Sequence, residues 1–487
     1  MTEDAPAPDA VASPAPDPSA SSTGTGASAP PETSGRTART ALSALVAAHA
    51  ISQTGNVVTA FAVPFSVLAL GGSGVEIGVA AAFATAPVII GGPLGGVVVD
   101  RVGHRRAAIG ADLVSGASVL AMPVLALTVG LPFWALLTLV FVSGLLDTPG
   151  QTARRVMLPG LTERAGIRHE RSVGLIDGSE RFAKLVGASV AGLLVAAVGP
   201  VASLFVNAAT FVVSAALTRA FVPAPDPART GSTQPHGTHP DAADPATDEP
   251  TDRGSATDGG SATVPARASY WSDLAEGARF VVRDPLMRLL VGLVLVTNLL
   301  DAARGSTLLP LYANDRLGGA AALGLLVATM GGCALAGTVV FGLVAHRMPR
   351  RVTFVACFAL AGGPSSLAFA LGAPLPVLVA ATAVSGLAAG ALNPILGAVE
   401  LERVPEPLRG RVFGLLNAGA WAGVPAGALL GGLAADTIGL TLAFGIVAAV
   451  YTLVTLTPLT GGTWRQMERG AYPTHVARPD AAPAPPL

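Results

Sequence analysis

Between residues 41 and 461 long apolar stretches alternate with short polar joints, and that alternation sets the first expectation. A membrane-crossing helix needs ~20 mostly apolar residues. Stretches of that kind fall at 41–70, 74–99, 107–129, 132–152, 172–198, 201–222, 286–313, 320–345, 352–372, 375–400, 411–436 and 439–461, predicting twelve transmembrane helices. Three segments lack large apolar residues and are predicted to be disordered: residues 1–40, 223–268 and the tail after Glu468. The middle one divides the spans into two groups of six. The expected organisation is a tail (1–40), a first bundle (41–222), a linker (223–268), a second bundle (286–462) and a tail (463–487). Ahead of the second bundle, 269–285 sets Trp271, Leu274, Ala278 and Val281 at helical spacing with Arg279 and Arg283 nearby. This predicts a short amphipathic helix lying on the membrane surface.

Composition agrees with an all-α membrane protein. Hydrophobic residues make up 51% of the 487 and charged ones 13%, with a mean hydropathy of +0.58. Basic residues fill every second joint: Arg101, Arg105 and Arg106; Arg154 to Arg171; Arg347 to Arg351; Arg403 to Arg411. The alternate joints GGSGVE, TVGLP, VGP, LGAPLP and DTIG have no Lys or Arg, and only Arg316 breaks the pattern. Because Lys and Arg are retained on the cytoplasmic side, both termini are expected in the cytoplasm. A net charge of −1 argues against nucleic-acid binding. Cys333 and Cys357 fall inside predicted spans, too few for a disulfide framework or a zinc site. No HExxH, GxSxG, Walker A or GxGxxG motif is present, so neither an enzyme nor a cofactor or resident metal is expected. Residues 1–40 hold no apolar core of the kind a secretory signal carries.

The two groups of spans are related. GGPLGGVVVDRVGHRR, from Gly91 to Arg106, has a degenerate copy, AGTVVFGLVAHRMPRR, from Ala336 to Arg351, so that Arg105 and Arg106 match Arg350 and Arg351. At the same offset Thr148-Pro149 matches Asn393-Pro394, and Pro64 matches Pro310 within one residue. The fifth spans of the two groups align with a slightly smaller offset, pairing Gly174, Gly187, Gly192 and Gly199 with Gly414, Gly427, Gly432 and Gly439. Two parallel six-helix repeats form a transporter architecture with its central site at their interface.

These residues resemble the major facilitator superfamily, and the chain is similar to its branch of macrolide-efflux and siderophore-exporter proteins. The resemblance rests on Gly92-Pro93-Leu94, Gly96, Asp100-Arg101 and Arg105-Arg106, on the Pro-containing end of span 4 running into Leu158-Pro159, on EGARFVVRDPLMR, and on Leu408-Arg409-Gly410-Arg411-Val412. It implies the major facilitator fold, two six-helix bundles related by a pseudo-two-fold repeat, in a monomer of the cytoplasmic membrane. It also implies a cytoplasmic latch that holds one end-state. In that latch Gly92 and Gly96 would let span 2 approach a neighbour. Asp100 would cap the amino end of another helix, the start of span 11 near Arg411, and Arg101 or Arg105 would pair with acids. Asp147, Gln151 and Arg154 are expected to join this network, with Glu400, Glu402 and Arg403 in the corresponding place. The chain departs from the exporter pattern at two points. Span 5 has Gly187-Ala188-Ser189-Val190-Ala191-Gly192 where a GPxxGG element is common, and span 1 has Gly55-Asn56 where relatives commonly carry Gly-Asp.

Charge inside the membrane marks the candidate site. Asp177, Glu180, Arg181 and Lys184 follow i, i+3, i+4, i+7 spacing and form one stripe on span 5. Lys184 is the only lysine in the chain. Charges at such depth cost a few kcal/mol and face a cavity or one another, so the stripe is expected to line the central pathway, or else to form two ion pairs, Asp177 with Arg181 and Glu180 with Lys184. The second half places Asn417, Ala420, Trp421 and Val424 at the matching positions. Span 1 offers His49, Gln53, Asn56 and Thr59 along one face, span 7 offers Asn298, Asp301 and Arg304, and Trp421 offers an aromatic surface.

The reading is a secondary transporter that exports a hydrophobic or amphipathic small molecule in exchange for protons, with Glu180 or Asp177, and after them Asp301, as the coupling carboxylate. The alternatives are an uptake permease for an anionic solute, bound by Arg181 and Lys184, and a nontransporting membrane sensor.

Overall fold

The computed structural model describes residues 32–167, 169–223 and 270–468. The remainder of the expected tails and linker lies outside the described residues. Among those residues every regular element is helical: α1 (Glu32–Ala69), α2 (Gly74–Val102), α3 (His104–Thr128), α4 (Phe133–Arg164), α5 (His169–Val198), α6 (Pro200–Phe221), α7 (Tyr270–Arg283), α8 (Pro285–Ala302), α9 (Leu309–Arg316), α10 (Ala320–Val344), α11 (Arg350–Ala370), α12 (Leu375–Arg403) and α13 (Arg409–Leu456), with short 3₁₀ and π turns. Ten helical runs are long and apolar enough to cross a membrane. One of them, Glu406–Leu459, contains two crossings, and α2, apolar over Gly74–Ile89, adds another, which brings the crossings to twelve.

Several boundaries differ from the expectation, each because of tertiary contact. The first helix starts at Glu32, where disorder was expected as far as residue 40, because Ala38, Ala41, Leu42 and Leu45 bury against Leu158, Leu161 and Ala165 beyond α4's membrane section. Helix α4 correspondingly continues through Pro159 to Arg164. Past 462 the chain still forms a 3₁₀ turn, Thr463–Met467, whose Trp464 and Met467 enter the second core. The seventh crossing is interrupted. Between α8 and α9 lies a π turn, Ala303–Leu308. Pro310 follows it, and since proline removes a backbone donor and crowds the preceding turn, a local widening accommodates it.

The repeat read from sequence recurs in backbone conformation. Gly199 (φ 87°, ψ 162°) joins α5 to α6, and its counterpart Gly439 (φ 79°, ψ 160°) breaks α13 into the last two crossings. That region of φ/ψ space is essentially confined to glycine.

The two halves meet along two related seams. Helix α2 packs on α13, and α10 on α5. At the first, a Cβ on Gly78 would lie 2.6 Å from the carbonyl oxygen of Ala428, and one on Gly432 would run into the backbone of Gly74. At the second, a Cβ on Gly324 would lie 2.8 Å from the carbonyl oxygen of Ala188, and one on Gly192 2.7 Å from that of Ala320. Ala188 and Ala428, like Gly192 and Gly432, occupy equivalent repeat positions. Both seams use the start of α2 or α10, the end remote from the basic joints. The apolar core follows the same division. One cluster mixes Val58, Phe61 and Ala62 of the first half with Leu311, Ala320 and Leu323 of the second. Clusters at the basic end of the first half contain no residue of the second. The bundles therefore close on each other at the far end, and a cleft separates them toward the basic end.

The closed end carries one polar clamp. Asp436, near the end of the eleventh crossing, accepts hydrogen bonds from the Gly74 and Val75 N–H groups at 2.8 Å each, capping α2 across the seam. Ser73 and Glu76 form a capping box on the same helix start. The residue equivalent to Asp436 in α5 is Ala196, so the second seam lacks this carboxylate cap. Hydrogen bonds to charged groups contribute about 1.5–3 kcal/mol each. Asp436→Ala is therefore expected to move the population toward opening at the far end by about tenfold or more. The check is labelling of a cysteine at Val75 by a membrane-impermeant maleimide, which should rise in the variant.

Candidate functional site

The first-half wall of the cleft is a hydrogen-bonded lattice anchored on α1. His49, Gln53 and Asn56 share one helix face. The Asn56 amide donates to Gln53 Oε1 (3.1 Å) and to Asp147 Oδ2 (2.8 Å) on α4. Gln53 donates to Glu180 Oε1 on α5 (3.3 Å), and Gln151 donates to Asp147 Oδ2 (2.7 Å). Glu180 pairs with Arg155 at 2.9 Å and with Lys184 at 3.5 Å. Its own side chain is 20% exposed while those of Arg155 and Lys184 are 52% and 65% exposed, so the carboxylate is rooted in the wall and the cationic heads reach into open space. Arg181 is exposed and has no ion pair among the described residues. The side chain of Asp177 lies outside the described residues. His49 is fully buried, with neither ring nitrogen hydrogen-bonded, and Thr59 accepts a hydrogen bond from Asn207 of α6.

Asp147 and Arg154, expected in the latch, are elsewhere. Arg154 is fully buried and pairs with Asp112 of α3, 1% exposed. Ser214 of α6 donates to Asp112 Oδ2 at 2.7 Å and accepts from Arg154 at 3.2 Å. Asp147, two turns earlier on the same face, turns to α1. Spacing defines a helix face but does not identify the neighbour it meets, which is why the sequence misplaced both residues. Asp112 was missed altogether, although a lone carboxylate within span 3 was a usable signal. Breaking a buried pair leaves an uncompensated charge and costs about 3–5 kcal/mol. Arg154→Met is thus expected to lower the thermal midpoint and yield of the purified protein sharply, and Asp112→Leu combined with Arg154→Met to recover most of the loss.

The predicted latch is disengaged in this conformation. Asp100 is exposed and has no hydrogen bond or ion pair among the described residues, and the same holds for Arg101 and Arg106. Arg411, at the start of α13, pairs with Glu276 of α7 instead. The physical reason is the splaying of the halves at this end. Gly92 and Gly96 lie within α2, and their surroundings fall outside the description. Arg105 donates to the Arg219 carbonyl at the end of α6 (2.6 Å). Arg351 similarly donates to the carbonyls of Pro458 (2.7 Å) and Leu459 (2.6 Å) at the end of the last crossing. These basic residues thus also cap the carboxyl ends of the sixth and twelfth crossings.

The second-half wall is more apolar. Asp301 and Arg304 pair at 3.1 Å beside the π turn. Arg304 donates to Ser365 of α11 at 2.8 Å, and the Tyr451 hydroxyl donates to Asp301 Oδ2 at 3.5 Å. Asn298 ties α8 to α13 through the Ala420 carbonyl (2.9 Å). Toward the basic end α8, α12 and α13 enclose a cavity of about 260 Å3, lined by Leu290, Val294, Asn393, Glu400, Phe413 and Asn417. Trp421, 44% exposed, follows Asn417 by one turn and is not part of that lining. Glu402 pairs with Arg350 at 2.6 Å, and Arg403 pairs with Asp284 (2.7 Å), which caps the start of α8.

Two helical bundles closed at one end and open at the other, with polar clusters on facing walls, are the apparatus of an alternating-access transporter. The sequence matches the Major Facilitator Superfamily over residues 45–332 and 294–466, and the chain belongs to that family: it is a multi-pass membrane transporter, not an enzyme. Similar chains include two proteins each named multidrug efflux pump Tap. The one from Mycolicibacterium fortuitum is 29% identical over 395 residues, covering 80% of this chain and 88% of the relative. The one from Mycobacterium tuberculosis (strain ATCC 25618 / H37Rv) is 30% identical over 397 residues, covering 81% and 87%. The fold is similar to that of the nucleoside transporter NupG (TM-score 0.61, 12% identity, 88% of this chain and 98% of that one). It is also similar to a bacterial homologue of the iron transporter ferroportin in its inward-facing state (TM-score 0.60, 16% identity, 86% and 98%).

Proposed function

We propose that this secondary transporter exports hydrophobic or amphipathic drug-like molecules across the cell membrane, driven by inward proton flow. The observation that carries the reading is the cleft itself. The halves diverge toward the basic end, where the second half carries a largely apolar cavity between α8, α12 and α13 and the first half a charged hub at Glu180. A wall of this kind suits a substrate with a large apolar body and one polar feature. The relatives named as efflux pumps, similar over four fifths of the chain, favour export over anion uptake and over a nontransporting sensor.

Retention of Lys and Arg on the inner side makes the basic end cytoplasmic, with both termini and the linker there. The conformation described is then the loading state, its mouth toward the cytoplasm. Helix α7 lies at the inner surface, and a monomer holds the complete pathway. In the cycle the far-end seams part and the cytoplasmic ends converge. Arg411 exchanges Glu276 for the neighbourhood of Asp100, which caps the start of α13. Glu180, flanked by two cations, sets the polarity of the substrate site.

Inverted membrane vesicles containing the protein are expected to accumulate members of a panel of fluorescent and antibiotic compounds when a proton gradient is imposed, and to lose them on adding an uncoupler. Glu180→Gln should reduce that accumulation by about tenfold or more. Uptake into intact cells, or accumulation indifferent to the uncoupler, would overturn proton-driven export.

A further inference from the structure

We propose that Asp147 is the carboxylate that carries the proton, with Asn56 and Gln151 as the positioning residues that hold it and link it to the substrate wall. The proposal rests on the proton-driven reading above and identifies its proton site.

Asp147 is 7% exposed, inside the membrane section of α4. It lies 14 residues from the helix start at Phe133, or ~21 Å along the axis at ~1.5 Å per residue. Its two oxygens differ. Oδ2 accepts from the Asn56 and Gln151 amides at 2.8 and 2.7 Å, while Oδ1 is buried and accepts nothing. A proton added at Oδ1 leaves both amide bonds in place, and its departure leaves an anion already held by two neutral donors. Both forms fit one side-chain position.

The other membrane carboxylates whose side chains are described are engaged differently. Asp112 has Arg154 on one oxygen and Ser214 on the other. Glu180 is bridged by Arg155 and Lys184, and Asp301 is paired with Arg304. Removing the negative charge of Asp112 would strand the fully buried Arg154, and that of Asp301 the largely buried Arg304, whereas Glu180 already serves two ion pairs at once. Glu400 lacks an ion pair but is only half-buried, one turn from the end of α12.

The surroundings are compatible with a single proton. His49 is the titratable group that α1 brings to this face, and α4 contributes Arg154 and Arg155 in the following turns. Helix α3 contributes Asp112, already balanced by Arg154. Among the described side chains Glu180 is the acid that α5 brings, through Gln53, and α2 has no charged residue between Glu76 and Asp100.

Proton and substrate are linked by hydrogen bonds. From Asp147 the chain runs to Asn56 (2.8 Å), Gln53 (3.1 Å) and Glu180 (3.3 Å), connecting a buried oxygen to the charged hub on the cleft wall. Neutralising Asp147 weakens the pull on the Asn56 amide, and that change is passed through Gln53 to Glu180. A proton gained at Oδ1 in the far-open state and lost to the cytoplasmic side in the state described moves one positive charge inward per cycle.

The test uses the full-length protein in inverted vesicles, with the dye of the panel that the wild type carries fastest. Two quantities are read: uphill accumulation under a proton gradient, and dye-for-dye exchange with no gradient. Asp147→Asn should lose accumulation by about tenfold or more while exchange stays within about twofold. The exchanged pair Asn56→Asp with Asp147→Asn returns a carboxylate to the same contact from α1, and it should restore accumulation. An Asp147→Asn protein that still accumulates dye in an uncoupler-sensitive manner overturns the proposal and moves the proton to Glu400 or another acid. Loss of exchange together with accumulation, unrelieved by the exchanged pair, reduces Asp147 to a structural residue. A wild type indifferent to the uncoupler removes the proton-driven reading as a whole, so the two failures are distinguishable.

Discussion

Backbone touches backbone where α2 meets α13 and where α5 meets α10, and the remaining architecture is arranged around those two contacts. In lipid, apolar side chains gain little from meeting each other, so helix association depends on close packing and on interhelical hydrogen bonds. Glycine at 74, 78, 192, 324 and 432 removes the atoms that would hold the halves apart. Because both seams sit at the far end, the halves splay toward the basic end, and the cleft, the exposed Asp100 and the pairing of Arg411 with Glu276 are consequences of one geometry. The contacts are also reversible. Among the described residues they consist of van der Waals packing, including the apolar cluster shared by the halves, plus one carboxylate cap, and no ion pair has to be broken before the seams part.

Polar groups impose the second constraint, since each must find a partner in a solvent without water. The first half meets it with two kinds of cluster. The Asp112–Arg154–Ser214 triad is buried and charge-balanced, although Nε and Nη1 of Arg154 have no partner among the described residues, and it ties α3, α4 and α6 together. The lattice of Gln53, Asn56, Asp147, Gln151 and Glu180 is extended and incompletely satisfied, with buried His49 beside it. Incomplete satisfaction costs stability, and a lattice that can gain or lose a proton has to accept that cost. The second half holds the Asp301–Arg304 pair beside a π turn and an apolar cavity, its other described ion pairs lying toward the basic end. Two repeats of one ancestral plan have therefore diverged into a half rich in charge and a half suited to apolar contact.

The repeat was legible because it is written in residues whose chemistry tolerates few substitutes. Gly199 and Gly439 stand at conformations that other residues avoid, and Pro149 and Pro394 recur at one offset. The twelve crossings were legible because a bilayer demands long apolar runs whatever their neighbours are. The pairings of Asp301 with Arg304 and Glu180 with Lys184 were readable from helical spacing alone. The placement of Asp147 and Arg154 was not. A heptad separation shows that they share a face, but whether that face turns to α2 or to α1 and α3 depends on how α4 is rotated in the bundle. The extensions of α1 before residue 41 and of α4 to Arg164 escaped for a related reason, since Ala38 and the turn after it bury against Leu158, Leu161 and Ala165 across a long sequence separation.

Local chemistry by itself thus determined the membrane class, the number of crossings, the two-fold repeat and the inventory of embedded charges, since each follows from hydropathy, spacing or the special conformations of glycine. Tertiary structure decided which charges meet, which end of the bundles is closed, and which carboxylate is left with a free buried oxygen. Those properties depend on helix rotation and on backbone contacts between residues as distant as Gly74 and Gly432, and no local pattern encodes either.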